Sequence, residues 1–150
     1  MAFIAFAYLI GINLQTALSN QPVTIMGTTV PPIPTLNPET VVIGKRVYAQ
    51  YCADCHGANL QGVLNWKERQ TDDSFLPPPH NSSGHTWHHP DHLLIEIITN
   101  GGDPDLYNTK MPGFGNQLTE GEISAVLDYI KSSWGQDERE LQWWVTVVEK

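Results

Sequence analysis

The sequence predicts an all-α chain, on three observations. Three stretches open on helix-start signals: Asn37-Pro38-Glu39 running to about Tyr51, Asp91 running to Asn100, and Thr119-Glu120-Gly121-Glu122 running to Trp134. Two of them close on a glycine, Gly101 and Gly135, and the connections between them are rich in Pro and Gly. Both cysteines of the chain fall in Cys52-Ala53-Asp54-Cys55-His56, where two thiols three positions apart suit one helical turn. With 150 residues, 41% of them apolar, one compact domain with appendages is the expectation.

Taken in order, residues 1–38 contain no charged side chain, the first being Glu39. Ala2 to Leu18 is mostly apolar, interrupted by Asn13, Gln15 and Thr16. As a helix it would reach ~26 Å at 1.5 Å per residue, just short of a ~30 Å hydrocarbon core. Residues 1–20 are therefore expected to be a membrane anchor helix, with an interfacial or partner-packed helix as the alternative. A cleaved secretory signal would need a basic leading region, and no Lys or Arg precedes Lys45, which also leaves the charge rule unable to orient the anchor. Residues 21–36 hold Pro22, Pro31, Pro32, Pro34 and Gly27, and predict an extended, semi-rigid tether.

The domain proper is expected over 37–135. Asn37 is a good N-cap, Pro38 suits the first helical position, and Glu39 faces the positive end of the helix dipole. Gly44 and Tyr48 share a face at i and i+4; a mid-helix glycine costs about 1 kcal/mol relative to alanine, so close approach by another helix is its expected compensation. The partner is expected on the last helix, at Tyr129 or Val126.

Cys52-Ala53-Asp54-Cys55-His56 has the spacing for covalent haem attachment: each thiol adds to one vinyl group of a porphyrin, and the adjacent imidazole reaches the iron. The competing readings are a zinc half-site, which needs further thiols or a spaced His pair, and a redox dithiol, which belongs to a βαβ pattern not visible here. Pro77-Pro78-Pro79 cannot be helical and donates no backbone hydrogen bond, yet offers carbonyls. One of these, with Pro78 the candidate, could accept the ring N–H of His56 and orient it.

Five of the six histidines follow: His80, His85, His88, His89 and His92. His88 and His92 could ligate a metal at their i, i+4 spacing, but with no acidic or thiol partner in view, histidine and Trp87 are better suited to lining a haem edge and bonding its propionates. Leu93, Leu94, Ile97 and Ile98 face inward from the next helix. Met111 then stands in Lys110-Met111-Pro112-Gly113-Phe114-Gly115. Met1 and Met26 lie in the anchor and tether, so Met111 is the one thioether in the domain and the candidate sixth iron ligand. Thr119 and Glu122 form a capping box, and Ile123, Val126, Leu127, Tyr129 and Ile130 continue that helix. In 136–150, Leu141, Trp144, Val145 and Val148 make an apolar stripe expected to contact a partner, with a short helix folded back on its own domain as the alternative.

At this point CADCHG, GHTWHHPD and MPGFGNQLTEGEISAVLDYIKSSW resemble a bacterial class I monohaem cytochrome c, over Asn37 to Trp134. The resemblance implies an all-α class I cytochrome c fold, with the first and last helices of the domain crossing beside one covalent haem c. It implies that Cys52 and Cys55 carry the thioethers, that His56 is the proximal ligand and that Met111 is the distal one. It also implies attachment on the outer, periplasmic side of a membrane. The anchor and tail depart from a free shuttle and suggest a subunit of a membrane complex with redox protein partners. In organisation the chain resembles the monohaem subunit of the quinol-oxidising alternative complex III. The formal charge of -8 argues against nucleic acid and for a basic or neutral docking surface. Two function classes follow: a one-electron carrier with a six-coordinate iron, or a haem enzyme or gas sensor with an open distal site.

Overall fold

The computed structural model describes residues 20–102 and 109–149, in two units, 1–35 and 36–150. The expected anchor over 1–20 lies, but for its last residue, outside the described residues. Among the described residues no helix is long and apolar enough to cross a membrane.

The first unit departs from the expected tether. Val23–Ile25 (β1) and Thr28–Val30 (β2) pair antiparallel, with Val23 opposite Val30, Thr24 opposite Thr29 and Ile25 opposite Thr28. Prolines dominated the reading of this stretch, but none falls between Val23 and Val30, where β-branched residues favour strands. The two-residue turn needs positive φ at both positions, and Met26 (49°) and Gly27 (79°) supply it.

Among the described residues of the second unit the helices are Pro38–Tyr51 (α1), Ala53–His56 (α2), Asp91–Asn100 (α3), Glu120–Lys131 (α4) and Gln136–Val148 (α5), with a 3-10 turn at Thr86–His88. The Asn37 side chain accepts the Glu39 N–H at 2.8 Å, and Thr40 Oγ1 donates to Asp128 Oδ2 at 2.8 Å, tying the start of α1 to α4. Gly44 is buried where these helices meet: a Cβ there would stand 1.8 Å from the Ala125 carbonyl oxygen and 3.0 Å from Tyr129 Cβ. The close approach falls mainly on the Ala125 backbone, one turn before Tyr129. Tyr48, Val126 and Ile130 sit at the centre of the core.

The capping box at Thr119 and Glu122 is formed. The helix ends at Lys131 rather than Trp134, because Ser132 and Ser133 turn their hydroxyls back onto the carbonyls of Tyr129 (2.6 Å) and Ile130 (2.7 Å). Trp134 remains buried.

The tail helix α5 folds back on its own domain. Gln142 and Val145 are buried, and Gln142 Nε2 donates to Asp91 Oδ1 at 2.5 Å and to the His89 carbonyl at 3.2 Å. Thr146 Oγ1 accepts the Asp91 N–H at 3.1 Å. The stripe expected to face a partner is thus used in part at home: Val145 is buried, Leu141 and Trp144 half-buried, Val148 exposed. A buried glutamine, invisible to an apolar pattern, anchors it.

Candidate haem site

α1 ends at Tyr51 because Cys52 leaves helical register as its cap, and α2 restarts at once, so Cys52, Cys55 and His56 lie on two consecutive short turns. The Cys55 and His56 N–H groups both donate to the Cys52 carbonyl, at 3.2 and 2.9 Å. No disulfide joins the cysteines; Cys52 is half-buried and Cys55 exposed. Burial, reinforced by Cys55, pushes the Cys52 thiol up to about 11.

His56 is buried, and its Nδ1–H donates to the Pro78 carbonyl at 2.9 Å. That bond fixes the tautomer and leaves Nε2 as the lone-pair nitrogen. Desolvation lowers the His56 pKa, the Pro78 bond opposing it, so the imidazole is held neutral, as a metal ligand must be. Against its face lies His80, ring centroids 3.9 Å apart and planes 23° from parallel. Burial, and then the neighbouring His56 and His85, hold His80 neutral as well.

Met111 is half-buried and packs against the core, on a loop fastened to the end of α3. Gly102 N–H donates to the Met111 carbonyl at 3.2 Å, Phe114 N–H to Ile98 at 2.9 Å, and Gly115 N–H to Thr99 at 2.9 Å. Glycine is required at 113, where a Cβ would sit 2.6 Å from the Asn100 carbonyl carbon. Trp87 is half-buried on the 3-10 turn, tilted over His88 with ring centroids 3.9 Å apart. Its Nε1 is fully buried with no hydrogen-bond partner.

These features fit a haem. A buried donor with no acceptor is costly unless something supplies one, and haem carries two carboxylates. The thiols, the neutral imidazole and the thioether loop are of the kinds that could supply the remaining attachments. Among the described residues no group of three or more His, Cys, Asp or Glu is placed to hold a metal ion by itself.

Residues 39–130 match the family described as cytochrome c oxidase, cbb3-type, subunit III. The chain belongs to that family. As a c-type cytochrome of that family it binds one covalent haem c and carries electrons rather than catalysing a reaction. It is 30% identical over 106 residues to a protein named cbb3-type cytochrome c oxidase subunit FixP from Azorhizobium caulinodans, across 66% of this chain and 32% of that protein. It is 29% identical over 100 residues to a gluconate 2-dehydrogenase cytochrome c subunit from Pantoea cypripedii, across 61% of this chain and 20% of the other. The chain thus spans about a third and about a fifth of the length of these curated relatives.

Two residues escaped the sequence reading. His80 stands among the other histidines of the sequence, and its place directly after the proline run that receives the His56 N–H is the signal that sets it apart. Tyr48 was read as a packing residue, yet its buried hydroxyl has no partner; nothing in a periodicity argument reveals that.

Proposed function

We propose that this chain is a His/Met-ligated c-type cytochrome that relays single electrons within a larger membrane oxidoreductase. Cys52 and Cys55 would hold the haem through thioethers, His56 Nε2 and the Met111 sulfur would ligate its iron, and Trp87 Nε1–H would donate to a haem carboxylate. When bound, the haem iron supplies a one-electron couple, and a thioether opposite an imidazole sets a relatively high potential. The observation that carries the reading is the commitment of His56 Nδ1 to Pro78, which leaves Nε2 for a metal. Pro78 thereby orients the ligand and raises its basicity. The backbone bonds that fasten the Met111 loop to α3 serve a second ligand by restricting the loop's motion.

The relatives named above are an oxidase subunit and a dehydrogenase subunit, which supports a multisubunit setting. An assembly like alternative complex III rests on organisation alone: an uncharged 1–20 as membrane anchor, a Pro-rich stretch, and a haem domain on the periplasmic side. Deleting Ala2 to Leu18 should release a spectrally normal cytochrome from the membrane; full retention would show that the haem domain itself holds the docking surface.

The ligand assignment is tested by Met111→Ala. Haem should stay attached, the potential should fall, and carbon monoxide should bind the reduced protein. An unchanged spectrum and potential would mean that a different side chain holds the sixth position.

A further inference from the structure

We infer that His80 is a positioning residue for the axial imidazole: its ring, stacked on His56, sets the plane in which His56 presents Nε2. This rests on the ligation reading above. The hydrogen bond from His56 Nδ1 to Pro78 fixes one direction in the ring but leaves rotation about that direction. A flat neighbour at 3.9 Å and 23° removes the remaining freedom.

His80 can act as a reference surface because it is itself held. Its N–H donates to Leu60 at 2.9 Å, and its carbonyl accepts Trp134 Nε1 at 2.7 Å. It follows three prolines, and the Tyr48 ring meets it edge-on at 5.8 Å and 74°.

An aliphatic side chain could fill the same space without burying a polar nitrogen. Here His80 Nδ1 is buried with no partner, and so is the hydroxyl of Tyr48, the ring in contact with it. No hydrogen bond joins the two, and a hydroxyl donor and a neutral imidazole acceptor are the pair that one shared buried water could satisfy. Such a water would put the His80 proton on Nε2 and hold the ring that supports His56. Groups of this kind orient a ligand and tune its metal without touching the metal.

The test uses the full-length, haem-loaded protein. The unmodified protein is first examined for axial imidazole resonances by paramagnetic NMR; their absence would sink the ligation reading itself. With them present, His80→Leu keeps apolar bulk but removes the flat ring, and His80→Phe keeps the ring and removes the nitrogens. His80→Leu should change the oxidised-to-reduced ratio at fixed potential threefold or more, about 28 mV at 59 mV per tenfold for one electron. It should also alter the haem-methyl shift pattern, which His80→Phe should restore toward that of the unmodified protein. If His80→Leu does not accumulate, His80→Val is read the same way. Unmodified potential and shift pattern in the aliphatic variant, with haem attached, would overturn the inference and leave His80 as core filling.

Discussion

Replacing Gly44 by alanine adds one methyl group at the closest contact between α1 and α4. The new Cβ would stand 1.8 Å from the Ala125 carbonyl oxygen, 2.4 Å from its carbon and 3.0 Å from Tyr129 Cβ. Two of these are backbone atoms, so no rotamer change relieves the clash. The helices must move apart by roughly 1.5 Å to regain van der Waals distance, loosening the cluster that contains Tyr48 and Val126. Overpacking typically costs ~1–3 kcal/mol, and a backbone clash this deep belongs at or above the top of that range. Alanine's better helix propensity returns about 1 kcal/mol. The net loss should be about 2–3 kcal/mol, or about 10–20 °C in Tm for a domain near 100 residues. Circular-dichroism melts of the haem-loaded protein measure it. Gly121→Ala is the control: nothing lies within 4 Å of its added Cβ, so it should be neutral or slightly stabilising. A Gly44→Ala melt within about 2 °C of the unmodified protein would refute the packing argument.

Asp91 pairs with Lys131 at 2.7 Å and accepts from Gln142, with only 13% and 27% of the Lys131 and Asp91 side chains exposed. Asp91→Ala should therefore destabilise by about 2–3 kcal/mol, since it strands a largely buried cation. Lys110→Ala, which breaks the exposed contact to Asp72, should cost under about 1 kcal/mol; equal losses in urea titrations would contradict the burial argument. Thr119→Ala should cost about 1 kcal/mol by removing the N-cap of α4. Glu122 accepts from the Thr119 N–H and hydroxyl, which lowers its pKa. A depressed carboxylate contributes stability above its ordinary value of about 4.3 that is lost as pH falls through and below it. Melts across that window should show Thr119→Ala less acid-sensitive than the unmodified protein, and parallel pH profiles would contradict the capping assignment.

The helices legible in the sequence were those whose ends carry their own chemistry: Asn37-Pro38 opens α1, Gly101 closes α3, and Thr119 with Glu122 opens α4. What escaped was either masked by its neighbours or depends on partners distant in sequence. The hairpin over 23–30 hid behind flanking prolines, and α5 is docked through Gln142 onto Asp91, 51 positions away. At the site, local spacing marks Cys52, Cys55 and His56, and a proline run marks the carbonyl that His56 meets. The stack of His80 on His56 follows from the loop's path, which no local pattern encodes.

The proposed one-electron relay requires both axial positions of the haem iron to be filled by the chain's own side chains. The most direct measurement is the spectrum of the reduced, full-length protein before and after carbon monoxide is admitted. A c-type spectrum that carbon monoxide leaves unchanged near neutral pH is expected. A shifted Soret band in the unmodified protein would show an open distal position and contradict the carrier assignment.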